Sequence, residues 1–397
     1  MEISVIIPTF QTKEVPFLEK TLIALSEQTL PPQEIIIIDS SEDDQVRLLV
    51  QRIIKNIPVT YKKVKKSYPG EKRNLGARVA KSKFLAFLDA KTIPNKNWLS
   101  LSSEAILKEN LDIFFGQTVY QADTEFQRAL RASTFGLMMH ETTPGSLIKK
   151  ENFFPNNKFI EGVRAGEDLE WRERLKSQSF KFSATPFSCL KYSGLPNRWA
   201  EVLSKYFIYS IHTAFVKVQR NIKDAYLSAL LILSAIIIPK WNYLVGWQES
   251  YFFIPNVTKI YLLCLIILIL LFLASRRLSS KNYGLDMFWS TLKILLLIFS
   301  IYSVYRWNAL LAGWVESAIL YIPHITKIFV GFLILFSLIY RGIYLPNKRK
   351  EELDYIFPFN WIRIGFIGLS LDIVKAPGYL LGSLFYPFLN LFRSKLR

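Results

Sequence analysis

The character of the chain changes near residue 220, and this change limits what it can fold into. Before that point, short apolar runs alternate with stretches of helical periodicity and with polar loops. After it, long apolar segments dominate, such as ITKIFVGFLILFSLIY over residues 325–340. Such segments have the length and composition of helices that contact lipid. The chain is therefore predicted to fold as a water-soluble α/β domain followed by an all-α membrane region.

In the first part of the chain, predicted strands alternate with predicted helices. The predicted strands are short apolar or β-branched runs: ISVIIP (3–8), EIIIID (34–39), VTYKKV (59–64) and KFLAFLD (83–89). This alternation is typical of a parallel sheet with right-handed crossovers. Ligands of such sheets bind beyond the carboxyl ends of the strands, where Asp39 and Asp89 stand. We therefore expect these two acids at the functional site.

Four apolar segments in the second part are long enough to be spanning helices: 223–239, 258–275, 290–306 and 325–343. Basic residues concentrate in two connecting segments, 276–281 and 341–350. The positive-inside rule places those segments in the cytoplasm, together with the soluble domain and the C-terminus. The start of the chain, MEISVIIPTF, also lacks the pattern of a secretory signal peptide. The expected location is the cytoplasmic membrane, with several spans.

The predicted domain boundaries follow from these changes in composition. The soluble domain covers residues 1–198, and an amphipathic helix at the lipid interface covers 199–221. The transmembrane region covers 222–344, and cytoplasmic or interfacial helices cover 345–397. The apolar spacing within 199–221 also fits an ordinary core helix. Whether the segment 361–392 spans the membrane or lies on it stays open.

The formal net charge of the chain is +18. This excess fits two kinds of partner, namely anionic membrane lipids and substrates that carry phosphate or diphosphate. No nucleic-acid recognition motif accompanies the charge, so nucleic acid is not expected as a partner.

Five segments of the soluble part have an order and spacing found together in one family: VIIPTF (5–10), IIIIDSSEDD (35–44), GEKRNLGARVAKSKFLAFLDA (70–90), PGSLIKKENF (144–153) and GEDLEWRERL (166–175). On these segments, residues 1 to about 220 resemble the family 2 glycosyltransferases with the GT-A fold. The resemblance implies a Rossmann-like α/β catalytic domain with a mostly parallel sheet. It also implies transfer of a sugar from a nucleotide donor to an acceptor hydroxyl, with inversion at the anomeric carbon.

The resemblance further implies where the donor binds. Pro8 and Thr9 would line the nucleotide pocket, and Asp39 would hydrogen-bond the base or the ribose. Arg73 and Asn74 would lie near the donor, at a helix start where backbone N–H groups already favour anions. The residues alone also allow a helix cap for Asp39 and a solvated helix face for Arg73.

The segment around Asp89 departs from the family pattern. The family has Asp-x-Asp here, which bridges a divalent cation to the donor diphosphate, whereas this chain has Asp89-Ala90-Lys91. A neighbouring ammonium group opposes the binding of a hard cation by a carboxylate. Three outcomes stay open: weak binding of Mg²⁺ or Mn²⁺ at Asp89, neutralisation of the leaving diphosphate by Lys91, or loss of activity.

The last of the five segments contains the predicted catalytic base. In the family, the acid at the position of Asp168 takes the proton from the acceptor hydroxyl. Glu167 and Trp171 are predicted to contact the acceptor, because Trp171 follows Asp168 by three residues on one helical face. The alternatives are that the two acids only cap the helix, and that Trp171 packs in the core.

These features together predict a membrane-anchored, nonprocessive, inverting glycosyltransferase of the hexosyltransferase type, acting in cell-surface polysaccharide or glycolipid synthesis. Its expected partners are a nucleotide-diphosphate sugar, a lipid-linked or polyprenyl phosphate acceptor, and membrane lipids. One alternative is a processive polysaccharide synthase, although LPNRW (195–199) has Leu195 where the synthase motif Gln-x-x-Arg-Trp has glutamine. The other is a catalytically silent scaffold that binds donor, which Lys91 keeps open.

Overall fold

The structure of the protein is a computed structural model. It describes residues 1–184, 189–216, 237–279 and 325–394, together with isolated positions between 218 and 323.

Contacts within the chain divide it into two compact units. The first unit is Met1–Val202 with Arg341–Gly368, and the second is Leu203–Tyr340 with Leu369–Arg397. The first unit contains the catalytic domain that the sequence predicts, plus a short segment from far down the chain. The predicted domain boundaries at residues 198, 221 and 344 remain predictions.

The strands of the described residues form one sheet in the first unit. They are β1 (Ile3–Thr9), β2 (Glu34–Asp39), β3 (Val59–Lys63), β4 (Phe84–Phe87), β5 (Thr92–Pro94), β6 (Ile113–Tyr120), β7 (His140–Lys149), β8 (Phe182–Ala184) and β9 (Leu190–Tyr192). Their order is β3-β2-β1-β4-β7-β6-β9-β5, with β8 paired to β6. Strands β3, β2, β1 and β4 are parallel, and β7 runs antiparallel between β4 and β6. The prediction of an α/β fold with a mostly parallel sheet is confirmed.

Helices surround this sheet and continue through the second unit. They are α1 (Val15–Ser26), α2 (Gln45–Ile53), α3 (Pro69–Val79), α4 (Trp98–Glu109), α5 (Glu125–Thr134), α6 (Lys150–Phe153), α7 (Glu167–Lys176), α8 (Trp199–Ala214), α9 (Trp241–Val245), α10 (Val257–Ser279), α11 (Ile325–Ile339), α12 (Leu345–Lys348), α13 (Leu353–Ile356) and α14 (Asn360–Ser394).

Both faces of the central strands are covered, which explains why β1 and β2 are apolar at nearly every position. On one face, Val5 and Ile7 pack with the buried side chains of α1 and α2. On the other face, Ile6 and Phe87 pack with α3 and α7. Burial of each such side chain contributes about 1.5–3 kcal/mol to folding.

Helix α3 lies very close to β1. A Cβ atom at Gly76 would lie 2.4 Å from Cγ2 of Ile6, so only glycine allows this approach. Because α3 follows β3 in the chain, its first turn lies at the carboxyl edge of the parallel strands. The residues of that turn are therefore next to the strand ends that hold the predicted site.

A segment from the C-terminal part of the chain packs against α5 within the first unit. Arg131 forms an ion pair with Glu351 at 2.7 Å, and the Glu351 side chain is 0% exposed. The backbone N–H groups of Leu137 and Met138 donate to the carbonyl of Arg349. Gly136 has φ +65°, and a Cβ there would lie 2.3 Å from that carbonyl oxygen. The motifs that the sequence analysis used did not predict this contact.

Among the described residues, one helix is long and apolar enough to cross a membrane, Asn360–Phe385 within α14. It is 26 residues long, and 44% of its most apolar window is buried. Its length and composition are those of a spanning helix, and the core helix of a soluble protein can have the same length and composition. It belongs to the tail whose spanning the sequence left open.

The predicted four-span arrangement finds no support in the described residues. The predicted span 258–275 lies within α10, where the described apolar stretch is Val257–Leu268. The predicted span 325–343 is α-helical to Ile339 and continues as a π-helix over Tyr340–Tyr344. Among the described residues, neither segment meets the length and hydropathy of a spanning helix. Most of 223–239 and all of 290–306 lie outside the described residues.

Candidate active site

The carboxyl ends of β1 and β2 lie side by side, with Thr9 opposite Asp39 in the parallel register. Pro8 and Thr9 are buried at this edge, which is where the resemblance expects a nucleotide pocket. The Thr9 hydroxyl donates to Asp39 at 2.8 Å, so the two strand ends are joined by side chains as well as by backbone.

Asp39 is a fully buried carboxylate held by hydroxyl and N–H donors, with Lys63 Nζ 3.5 Å from its Oδ2. Besides Thr9, it accepts hydrogen bonds from the Ser41 N–H at 2.9 Å, the Ser41 hydroxyl at 2.7 Å and the Tyr61 hydroxyl at 2.7 Å. Burial alone would raise the pKa of Asp39, but the bonds from Tyr61, Ser41 and Thr9 outweigh it and hold the pKa below its usual value. The side chain is 0% exposed, so a nucleoside reaches it only if Tyr61 or Ser41 moves. The bond from Asp39 to the base or ribose therefore stays a prediction.

Lys72 is buried at the start of α3, next to Arg73 in the sequence. Its Nζ donates to the Thr9 carbonyl at 2.6 Å and to the Ser40 hydroxyl at 2.9 Å. Burial lowers the pKa of Lys72 to about 8, against the opposing charges of Glu14 and Asp39. The side chain thus ties α3 to the ends of β1 and β2.

Arg73 joins two motifs that are far apart in the sequence. Its guanidinium donates to Asp89 at 2.7 Å, just beyond β4, and to Glu167 at 3.0 Å, at the first residue of α7. The Arg73 side chain is 3% exposed, whereas that of Asp89 is 35% exposed. Burial alone would lower the pKa of Arg73, but Asp89, Glu167 and Asp168 raise it above its usual value. The bridge places Asp89 and the start of α7 around one guanidinium.

Glu167 is the buried member of this bridge. Burial and the nearby charge of Asp168 raise its pKa to about 8, and Arg73 acts in the opposite direction. Its Oε2 atom and the Nε atom of Arg73 are buried without a hydrogen-bond partner among the described residues. Glu167 therefore holds the Arg73 guanidinium on its buried side. Because the Glu167 side chain is itself buried, an acceptor would contact it only through buried surface.

Asp168 is half-buried in the first turn of α7, and its backbone carbonyl accepts a hydrogen bond from Thr143 at 3.3 Å. In the described part of the chain, no hydrogen bond or ion pair to its carboxylate is found. A general base needs such a carboxylate, because it must accept a proton from an incoming hydroxyl. Its role as base stays a prediction, and its position agrees with that role.

Trp171 corrects an expectation of the sequence analysis. It is fully buried, its indole N–H donates to the Asn157 carbonyl at 2.8 Å, and its ring stacks on Phe159 at 4.7 Å. Glu167 and Leu175, four residues away on either side, are the other buried residues of α7, whereas Asp168 is half-buried. The core-packing alternative is the one that the structure has, and the ring offers no surface to an acceptor.

Asn74 and Glu71 hold the loop that precedes α7. The Asn74 amide donates to the Phe159 carbonyl at 2.9 Å and to Glu161 at 3.0 Å. Glu71 accepts from the Gly162 N–H at 3.0 Å. The predicted donor residue Asn74 thus acts on the loop 159–166, an arrangement that the sequence did not indicate. The only sign of this arrangement in the sequence is that Glu71 and Asn74 lie three residues apart, on one turn of α3.

The residues around Asp89 do not fit a preformed metal site. Asp89 is the one carboxylate of the Asp89-Ala90-Lys91 segment, and it is paired with Arg73. Lys91 lies with its Nζ 5.1 Å from the ring centroid of Phe17. Mg²⁺ and Mn²⁺ prefer several oxygen ligands, and no group of three His, Cys, Asp or Glu residues suited to a metal occurs among the described residues. Asp89 alone therefore does not provide the ligand set that these cations prefer.

Comparison with known proteins relates the first part of the chain to one family. Residues 4–166 match the family described as Glycosyl transferase family 2, a stretch that runs from β1 to the residue before α7. This match agrees with the resemblance of the motifs and covers less than half of the chain.

Several curated proteins are similar to parts of the chain. An uncharacterised glycosyltransferase of Rickettsia conorii is 27% identical over 239 residues, which cover 57% of this chain and 38% of the relative. The glycosyltransferase AglE of Haloferax volcanii is 24% identical over 196 residues, which cover 46% of this chain and 63% of AglE. The chain thus spans less than two thirds of the length of either relative.

Two solved structures are similar to part of this chain. TarS of Staphylococcus aureus gives a TM-score of 0.40 at 16% identity and covers 59% of this chain and 49% of TarS. A mannosyltransferase of Pyrobaculum calidifontis, in complex with GDP-Man and Mn²⁺, gives a TM-score of 0.41 at 18% identity. The match covers 55% of this chain and 64% of the mannosyltransferase chain. Both TM-scores are low.

Proposed function

We propose that this protein is a membrane-anchored, inverting glycosyltransferase that moves a sugar from a nucleoside-diphosphate donor to an acceptor hydroxyl near the membrane. The bridge made by Arg73 carries this proposal, because it places Asp89 and the start of α7 around one guanidinium. Asp168 is the next residue after Glu167, with a half-buried carboxylate. The family 2 domain over residues 4–166 supports the class of reaction.

In the proposed reaction, Asp168 accepts the proton of the acceptor hydroxyl while that oxygen bonds to the anomeric carbon. The bond from the anomeric carbon to the diphosphate breaks on the opposite face, and its electron pair leaves with the diphosphate. Attack in line with the leaving group inverts the anomeric centre. A general base of this kind contributes about 10²- to 10⁴-fold to the rate.

We propose a lipid-linked or polyprenyl phosphate acceptor at the cytoplasmic membrane. The net charge of +18 favours an anionic surface, and the helix Asn360–Phe385 has the length and composition of an anchor. Holding the site and the acceptor at one membrane raises their effective concentration without any new contact. A single transfer is proposed in preference to polymerisation, because Leu195 replaces the glutamine of the synthase motif.

The test is the release of nucleoside diphosphate from UDP- and GDP-sugars by the purified full-length protein in lipid vesicles that contain polyprenyl phosphate. Asp168→Asn should lower the rate by about 10²-fold or more while nucleotide binding is retained. Glu170→Gln is the matched control, because Glu170 lies on the same helix and pairs with Arg174. It should leave the rate unchanged.

Two results would contradict the proposal in different ways. Equal turnover by the wild type and by Asp168→Asn would show that Asp168 is not the base. Binding of a nucleotide sugar without turnover of any donor would favour the silent scaffold, the alternative that Lys91 keeps open.

A further inference from the structure

The loop 159–166 is fixed over the first turns of α3. Its backbone is held by Asn74 through Phe159 and Glu161, and by Glu71 through Gly162. A Cβ atom at Gly70 would lie 2.5 Å from the Ile160 carbonyl oxygen, so the loop and the helix are in direct contact. Side chains that follow Gly162 therefore have a defined position beside the strand ends.

Three basic side chains at this edge are committed to protein groups. The Nζ atom of Lys63 lies 3.5 Å from Oδ2 of Asp39 and 3.8 Å from Oδ1 of Asp44. Lys72 is bonded to the ends of β1 and β2, and Arg73 is divided between two carboxylates. None of these three presents a complete cationic group to the diphosphate of a donor.

Arg164 differs from these residues. It is half-buried, and its guanidinium carbon lies 5.0 Å from the ring centroid of Phe10, the residue that follows β1. Lys72 lies 5.1 Å from the same ring. Within the described ranges, no carboxylate lies within ion-pair distance of Arg164, and nearby Glu14 accepts a hydrogen bond from the Phe10 N–H.

We propose that Arg164 binds the diphosphate of the nucleotide donor and stabilises the negative charge that this group acquires on leaving. The inference rests on the proposed function and identifies a residue that nothing else assigns to the site. When the bond to the anomeric carbon breaks, its electron pair remains on the diphosphate oxygen. A guanidinium presents paired N–H donors to such oxygens. It would therefore neutralise the diphosphate charge that, in the family, a cation bound by the two aspartates neutralises.

Titration calorimetry with the full-length protein tests this role. The ligands are UDP and GDP, compared with uridine and guanosine, which lack the diphosphate. For the diphosphate that the wild type binds, Arg164→Gln should weaken binding by about 10- to 100-fold. Binding of the matching nucleoside should be unchanged, and Arg164→Lys should fall between the two. Arg52→Gln removes an exposed arginine that pairs with Glu19, and it should bind like the wild type.

The outcomes separate this inference from the proposed function. If the wild type binds neither diphosphate, the proposed function fails. If Arg164→Gln binds the diphosphate as tightly as the wild type, only the inference is overturned. A parallel loss of nucleoside and diphosphate binding overturns it too, since Arg164 would then act by positioning Phe10. Thermal unfolding shows whether each variant is folded, and if neither Arg164 variant folds, the side chain is structural and the inference is wrong.

Discussion

Two clusters of buried charge lie at the strand ends, and they are built in different ways. In the first, Asp39 is enclosed by the hydroxyls and N–H of Thr9, Ser41 and Tyr61. In the second, Arg73 divides its charge between Asp89 and Glu167 and leaves buried polar atoms without partners. A carboxylate whose hydrogen bonds are all satisfied within the protein stabilises the local structure. Buried polar atoms without partners can still bind a water molecule or a ligand. We therefore expect the Asp39 cluster to hold the strand ends in place and the Arg73 cluster to take part in the chemistry.

The largest effect on stability is expected at Arg73. Arg73→Ala leaves Glu167 buried without its partner, and loss of one member of a buried pair costs about 3–5 kcal/mol. Urea unfolding of the full-length protein measures the free energy of unfolding. Arg52→Ala, which breaks the exposed pair with Glu19, should cost about 1 kcal/mol or less. Equal losses for the two variants would remove the distinction between the Arg73 bridge and an ordinary surface pair.

A smaller loss is expected in the Asp39 cluster. Tyr61→Phe removes one hydrogen bond to a charged acceptor and should lower the free energy of unfolding by about 1.5–3 kcal/mol. If the cluster only supports the strand ends, binding of the nucleoside should not become weaker in this variant. Weaker nucleoside binding, measured by calorimetry with the folded variant, would instead place Tyr61 in direct contact with the ligand.

The two clusters should respond to pH in opposite directions. The folded state lowers the pKa of Asp39 below 3.8, so the stability it supplies is present above that value and is lost as the pH falls through it. The folded state raises the pKa of Glu167 from 4.5 to about 8, so its contribution is present below 4.5 and is lost as the pH rises toward 8.

Stability curves of two variants measure this contrast. The stability of the wild type relative to Asp39→Asn should fall at the acid end. Relative to Glu167→Gln, it should fall between about pH 4.5 and pH 8. Two curves that bend in the same direction would contradict the description of the clusters.

The smallest effect is expected from removal of metal ions. Because Asp89 is already paired with Arg73 and Lys91 replaces the second carboxylate, EDTA should leave donor turnover unchanged. Loss of turnover with EDTA and recovery with Mn²⁺ would show that a cation displaces Arg73 from Asp89 when donor binds.

Local pattern was sufficient to predict the first four strands and the place of the acids at their ends. EIIIID coincides with β2, and ISVIIP and VTYKKV each end one residue before or after the observed strand. Apolar runs with both faces buried are a property of the sequence itself, so they are readable in it. The role of Trp171 was not, because a three-residue spacing does not say which face of a helix meets the core.

The sequence by itself determined the α/β domain, the motifs at the strand ends and the match of residues 4–166 to the family 2 glycosyltransferases. The tertiary structure decided which charges are committed to the protein and which are not. Lys72 and Arg73 stand beside each other in the sequence, yet one ties strands together and the other joins β4 to α7. Arg164 has no motif to mark it and lies beside β1 only through the fold. The physical reason is that pairing depends on distances of a few ångströms between distant parts of the chain, which spacing along the chain does not record.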